Sequence, residues 1–339
     1  MISLSACLMR LGLVTILFAA CLGASRSSLA QTAQPVVLRA AYLKSLSFSP
    51  LFLALEKKYF EEEGLRIELD AVQSASDVVA FLGLGRLDLA FGNIGAPLIN
   101  AGERNINVRV VAATSYYPAD AATLSPAPII VRKQLSDAGT IKSLADLRGR
   151  KVAFNTRGGV IEYLVGGAAQ RAGMSVSDFD IVTMPFPSMS AALANGAADA
   201  AVMPEPLATA VREQGIGAVL DPNPLPAALA TVLMFGPSLL EGAGEENGRR
   251  FMRALRRAAA ELDAPEKIMS ADNVKTWSKH TELPAALIAK TAPYLFDPQL
   301  RVSTSDLMRQ QAFLKASGQI SATLPLEKIL DARFTIQSP

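Results

Sequence analysis

The chain has 339 residues, half of them apolar, with 33 Lys and Arg against 31 Asp and Glu and a single histidine, His280. Its two cysteines, Cys7 and Cys21, lie in an N-terminal leader, so a processed chain has no thiol for a disulfide, a metal site or covalent catalysis. Loss of Arg10 and Arg26 with the leader leaves the two charge signs equal. That removes any global field for nucleic acid or a membrane surface and makes selection of an ionic ligand a local matter.

Arg10, the apolar run 11–22 and the small-residue site Ser28-Leu29-Ala30 mark residues 1–30 as a secretory signal peptide, which would deliver the mature chain to the periplasm. A second processing site, Phe18-Ala19-Ala20-Cys21, would instead leave a lipid anchor on Cys21. No later stretch is long and apolar enough for a membrane helix. His280 has no acid and serine placed as a triad and reads as a satisfied surface histidine, so neither hydrolytic nor zinc catalysis is expected. No catalytic residue, metal or cofactor is therefore assigned.

The roughly 310 residues after the leader suffice for two domains. A strand is predicted over 36–42. A helix follows, with Ser49 as N-cap and Pro50 at the first helical position, and runs to Gly64 with Leu51, Leu55 and Tyr59 on its buried face. Alternation at Leu65, Ile67 and Leu69 marks the next strand, and a strand-helix-strand unit of this kind implies a parallel sheet. The series continues with a helix over 77–84, a strand over 87–91, a helix after Pro97 and a strand over 108–114. Pro126 and Pro128 then punctuate the chain before a lone extended segment at 129–131. A second α/β series has strands at 151–155, 179–183 and 199–203 and helices at 159–172, 189–195 and 206–214. After Pro222, Pro224 and Pro226, another lone apolar segment at 229–235 leads into a helix-rich tail without alternation. The tail helix at 246–262 carries Arg249, Arg250, Arg253, Arg256 and Arg257, either a solvated face or a contact for a membrane protein.

The two series share a local pattern: Leu82-x-x-Gly85-x-x-Asp88-x-Ala90 matches Leu193-x-x-Gly196-x-x-Asp199-x-Ala201. In each, a helix ends at Gly and a polar turn with Asp opens a buried strand, as in two variants of one architecture. Further runs are Phe48-Ser49-Pro50-Leu51-Phe52, Tyr59-Phe60-Glu61-Glu62-Glu63-Gly64-Leu65, Leu144-Ala145-Asp146-Leu147-Arg148-Gly149 and Glu205-Pro206. In order and spacing these resemble the periplasmic binding-protein family that serves ABC importers of sulfonates, taurine, nitrate and the thiamine pyrimidine precursor. The resemblance covers nearly the whole chain after the leader. It implies an α/β fold of the two-lobed (type II) periplasmic binding-protein kind, each lobe a parallel-rich sheet flanked by helices, joined by two hinge strands near Ile129 and Val232. Lobe one would take in 36–127 and 226–339, and lobe two 128–225. The implied role is that of a monomer, not an enzyme, that closes on a small-molecule ligand and presents it to the membrane permease of an ABC importer; sensing for a membrane receptor is the alternative, and a pyrimidine-precursor synthase the enzymatic one.

In open α/β sheets ligands bind outside the carboxyl ends of the strands, among helix N-termini. That rule selects the loops at 45–49, 73–76, 92–94 with 115–117, 155–159 and 204–206. The candidate ligand-binding residues are Phe48, Ser49, Ser74, Asn93, Tyr116, Asn155, Thr156, Arg157, Gly158 and Glu205. In Asn155-Thr156-Arg157-Gly158-Gly159 two glycines let the backbone approach a ligand while Arg157 offers a forked cationic donor, unless it points to solvent. The serines can bond a ligand or cap helices, and Phe48 and Tyr116 can stack on a ligand or pack within the protein. Glu205 would repel an anion yet accept from an ammonium or ring N–H, or else favour a helix start. Taken together these favour a small organic anion or a zwitterion such as taurine, with a pyrimidine-type thiamine precursor, nitrate or bicarbonate as alternatives.

Overall fold

Two five-stranded sheets organise the chain in the computed structural model, which describes residues 34–72 and 78–338. The leader, both cysteines and Ser74 lie outside the described residues. The first series runs β1 (Val36–Tyr42), α1 (Ser49–Glu56), α2 (Tyr59–Glu62), β2 (Leu65–Ala71), α3 (Val78–Gly83), β3 (Leu89–Gly92), α4 (Ala96–Glu103) and β4 (Arg109–Tyr116). The second runs β5 (Ile129–Arg132), α5 (Lys133–Asp137), β6 (Lys151–Phe154), α6 (Val160–Arg171), β7 (Asp180–Thr183), α7 (Phe186–Asn195), β8 (Ala200–Val202), α8 (Leu207–Glu213) and β9 (Gly217–Asp221). Then β10 (Leu229–Phe235) precedes the tail, which contains α9 (Pro237–Leu240), α10 (Gly244–Ala260), α11 (Pro265–Ile268), α12 (Ala271–Thr281), α13 (Ala285–Ile288) and α14 (Thr304–Ala316).

The strand orders are β2-β1-β3-β10-β4 and β7-β6-β8-β5-β9. In each sheet three parallel strands are followed by one antiparallel strand, β10 or β5, from one of the two proline-marked segments. The strand for sheet one arrives after the second series, and that for sheet two arrives before it. The crossings themselves, residues 117–128 and 222–228, lie just ahead of these strands and are tied together. Tyr117 N–H donates to Ala228 O at 2.9 Å, Ala227 N–H to Pro118 O at 2.9 Å and Ser125 N–H to Pro222 O at 2.8 Å.

The repeated Asp has the same mechanical task in both sheets. Asp88 accepts from the Arg39 N–H at 2.8 Å while its own N–H donates to Arg39 O at 3.0 Å; Asp199 accepts from the Lys151 N–H at 3.2 Å and donates to Lys151 O at 2.8 Å. Each Asp thus docks its strand beside the first strand of its series, in the same register: Ala40 opposite Leu89, and Val152 opposite Ala200. The glycine three residues earlier is left-handed in both, φ +67° at Gly85 and +80° at Gly196, which reverses the chain out of the helix.

The helix predicted from Ser49 to Gly64 is broken into α1 and α2, because Lys58 is left-handed at φ 60°. The break turns Phe60 under the tail, where its ring stacks on Phe251 at 4.7 Å. Tertiary burial here overrides helical periodicity. Ser49 is not the N-cap: it is the first helical residue, and its hydroxyl donates to Leu46 O at 2.7 Å. The tail covers sheet one through Phe251, Leu255 and Trp277, all fully buried with Phe52 and Phe91. Two of its arginines hold this packing from outside: Arg253 pairs with Glu63 at 2.8 Å, and Arg257 pairs with Glu62 and lies 3.7 Å over the Tyr59 ring; Arg249 pairs within its own helix, with Glu245 at 2.8 Å. The tail also pairs Val302–Ser303 with Gln337–Ser338 as two short parallel strands, which the sequence did not signal, and two elements of the second series were likewise not predicted. They are β9, whose Gly217–Asp221 run is short and mixed, and the one-turn α5.

Candidate functional site

The carboxyl ends of β1, β3, β6 and β8 converge on a cavity of about 440 Å³. Sheet one contributes Lys44, Ser45, Ser47, Phe48 and Asn93, sheet two contributes Asn155, Thr156, Gly158 and Glu205, and the tail contributes Thr281, Leu283 and Tyr294. Backbone joins the two series along the cavity wall, since Ala96 N–H donates to Gly158 O at 3.1 Å. Gly95 is required there, because a Cβ on it would sit 2.8 Å from that same oxygen. A tie between the second series and the tail joins Tyr163 of α6 to Asp306 of α14, hydroxyl to carboxylate, at 2.8 Å.

Six of the predicted residues line the cavity: Phe48, Asn93, Asn155, Thr156, Gly158 and Glu205. Phe48 is fixed edge-on against Phe91, ring centroids 5.6 Å apart. The Asn93 amide is oriented by donating to Ala230 O at 2.7 Å. Gly158 takes φ +70°, a conformation a side chain would strain.

Three others lie elsewhere. Ser49 is buried beneath the Leu46 carbonyl. Tyr116 points to the opposite side of its strand, donating to Arg301 O at 2.5 Å and accepting from the Ser303 N–H at 3.1 Å, and burial pushes its phenol up to about 12. Its neighbour Tyr117 takes the cavity position instead, as alternation along an extended chain requires. Arg157 is the larger correction. Its Nε lies 2.7 Å from Glu162 Oε1, an ion pair rather than an aligned hydrogen bond, and its side chain is 45% exposed at the surface.

Glu162 is fully buried in the first turn of α6, and its other oxygen accepts from the Gly158 N–H at 2.6 Å. Both the arginine and one of the free N–H groups predicted to hold an anion are therefore engaged by the protein's own carboxylate. Lys44, which does line the cavity, pairs with Glu282 at 2.6 Å.

Glu205 is 1% exposed and faces the cavity from the β8–α8 turn. It accepts from the Thr209 N–H and hydroxyl, each at 2.9 Å. Burial raises its pKa above the usual carboxylate range against the pull of those bonds and of Arg212. Tyr117 and Tyr294 lie close by, ring centroids 5.8 Å apart, and burial raises both phenols, so they stand as neutral donors. Tyr294, Thr281 and Leu283 were invisible in the sequence, because they come from the tail, whose pattern carries no strand-end signal.

His280 stays outside the cavity lining. It is half-buried rather than a satisfied surface group: its ring lies parallel to Phe52 at 4.9 Å, and Nε2 is 3.8 Å from Glu56. Burial lowers its pKa, helped by Lys279. Among the described residues no group of His, Cys, Asp and Glu is arranged to hold a metal ion, and no helix is long and apolar enough to cross a membrane.

Residues 45–267, well over half of the chain, match the family described as NMT1/THI5 like. The chain belongs to that family. A curated relative of this NMT1/THI5-like chain is the 4-amino-5-hydroxymethyl-2-methylpyrimidine phosphate synthase of Aspergillus parasiticus, 24% identical over 223 residues. The match takes in 62% of this chain and spans 61% of the relative's length. Solved structures with the same fold include the alkanesulfonate-binding protein SsuA of Xanthomonas axonopodis pv. citri bound to MOPS, at TM-score 0.68 and 20% identity over 90% of this chain and 100% of that one. The periplasmic nitrate-binding protein NrtA of Synechocystis PCC 6803 aligns at TM-score 0.68 and 15% identity, over 89% of this chain and 87% of that one. The NMT1/THI5-like chain thus has the two-lobed α/β fold of periplasmic binding proteins.

Proposed function

We propose that this chain is the exported solute-binding component of an ABC importer, and that its ligand is a small nitrogen heterocycle of the pyrimidine class bearing an amine or ring N–H. The observation that carries the ligand class is Glu205, a buried carboxylate on the cavity wall that accepts from the Thr209 N–H and hydroxyl and from the Ala292 backbone and keeps acceptor capacity for an N–H donor of a ligand. Around it, Phe48, Tyr117, Phe186 and Tyr294 offer faces and edges for a flat ring. The name of the curated relative, a pyrimidine phosphate synthase, agrees with that chemistry.

A sulfonate-like ligand rested on Arg157, which is paired with Glu162 and absent from the lining. Binding without catalysis is supported by a lining that offers no Cys or His among the described residues. Export and lobe closure rest on the signal-like leader and on the fold of the neighbours named above. A thermal-shift screen tests the reading directly. 4-Amino-2-methylpyrimidine and its 5-substituted forms should raise the melting temperature, by about 3 kcal/mol of added stability at a hundredfold excess over Kd. Stabilisation by alkanesulfonates or nitrate alone would overturn it.

A further inference from the structure

We propose that Glu162 sets the charge class of the ligand, acting as a built-in anion that occupies the position where an acidic head group would otherwise bind. The inference rests on the heterocycle reading above and extends it from the group that attracts the ligand to one that rejects its competitors. The start of α6, a helix of 12 residues, opens on the cavity through Gly158, Gly159, Val160 and Ile161, and its N-cap, Gly159, supplies no side-chain acceptor. A helix start with glycine backbone and an adjacent arginine is the usual chemistry for a sulfonate, phosphate or carboxylate.

In this chain both parts are already engaged by one side chain. Glu162 Oε2 takes the Gly158 N–H at 2.6 Å, and Oε1 holds Arg157 at 2.7 Å. The carboxylate is 0% exposed, so water screens it little, and a second anion brought to Gly158 would find the N–H and the guanidinium already taken and a like charge beside it. Rejection by a like charge that already holds the local donors is a recognised route to specificity, and a neutral heterocycle does not meet it. Glu205 adds to the same bias from the β8–α8 turn.

The test is calorimetric titration of wild type, Glu162→Gln and Glu162→Asp with methanesulfonate and with inorganic sulfate. Wild type should show no measurable heat. Glu162→Gln, which keeps the shape and an amide oxygen for the Gly158 N–H but removes the charge and releases the arginine, should bind one of the probes at least tenfold more tightly than wild type, with affinity falling as salt is raised. Glu162→Asp keeps the charge while shortening the reach, and should reject both probes as wild type does. Adding Arg157→Ala to Glu162→Gln should cancel most of the gain.

If folded Glu162→Gln gains nothing, or if Glu162→Asp binds the anions, the proposal is overturned. Should Glu162→Gln fail to fold, Glu162→Ala takes its place: a gain in anion affinity supports the filter and no gain overturns it, while anion binding by Glu162→Asp overturns it in either case. The outcomes separate from those of the heterocycle reading. Tight sulfonate binding by wild type sinks both. A gain in Glu162→Gln with pyrimidine affinity unchanged in Glu205→Gln sinks the heterocycle reading and leaves the filter standing.

Discussion

The two sheets are built by one recipe and differ in what they hold out to the cavity. In both, a left-handed glycine and an Asp dock the third parallel strand against the first, in the same register. Past that strand the symmetry ends. Sheet one presents Asn93, a neutral amide tied to Ala230, while sheet two presents Glu205, a buried carboxylate tied to Thr209. The anchoring of the Asp also differs. Asp88 collects Arg39 through both backbone and guanidinium and accepts from Ser238 at 2.8 Å, whereas Asp199 has the Lys151 N–H and Arg132 at 3.1 Å from the neighbouring antiparallel strand. Scaffold and chemistry are therefore separable: the turn that positions the strand is common, and the residue after the strand carries the discrimination.

That comparison predicts unequal costs for equivalent substitutions. Asp88→Ala strands the Arg39 N–H and removes three further bonds in a mostly buried setting, so denaturant unfolding should show a loss of about 3 kcal/mol, against about 2 kcal/mol for Asp199→Ala. Equal losses, or a larger one at Asp199, would break the comparison. The ligand site should respond little to either substitution so long as the fold survives.

The pH dependence of the two sheets should run in opposite directions. Burial alone would raise the Asp88 carboxyl, but hydrogen bonds from Arg39 and Ser238 outweigh it and hold the pKa below the usual range. Its stabilisation is in place above the unfolded carboxylate pKa and is lost as pH falls through the lowered folded value. Glu205 has a raised pKa, so the folded chain carries an unfavourable buried charge at neutral pH and is relieved of it as pH falls through that raised value. Acid unfolding of Asp88→Asn should therefore lack part of the wild-type slope at low pH. Glu205→Gln should remove an opposing dependence at mildly acidic pH.

The smallest effects fall on the shared glycines. Gly85 has open space around a Cβ and pays only for its left-handed backbone, about 1 kcal/mol on substitution by Ala. At Gly196 the Cβ would also lie 2.7 Å from the Arg132 guanidinium that anchors Asp199, so Gly196→Ala should cost more than Gly85→Ala in thermal unfolding.

Much of this scaffold was legible in the chain itself, and the reasons are local. The alternation of Leu65, Ile67 and Leu69, the glycine-ended helices and the proline-marked segments are short-range signals, and the strands they predict lie within two or three residues of those observed. Six cavity residues were legible because strand-end loops can be located from strand positions alone. What sequence could not carry was direction and distance. Nothing near Arg157 in the chain distinguishes a guanidinium aimed at a ligand from one turned to Glu162, five residues on, and nothing in the tail signals that Tyr294 lies beside Glu205. Tyr116 and Tyr117 show the same limit, since a single step along an extended chain decides which ring meets the cavity.

Whether Glu205 holds the ligand by accepting from the ligand's N–H donors is decided by calorimetric titration of wild type and Glu205→Gln with 4-amino-2-methylpyrimidine. Glu205→Gln should lose tenfold to a hundredfold in affinity, the equivalent of about 1.5 to 3 kcal/mol for a charged hydrogen bond. Wild-type affinity should decline as pH falls through the raised Glu205 pKa, and the variant should lack this decline. Equal affinity and the same pH profile in both proteins would contradict this role for Glu205.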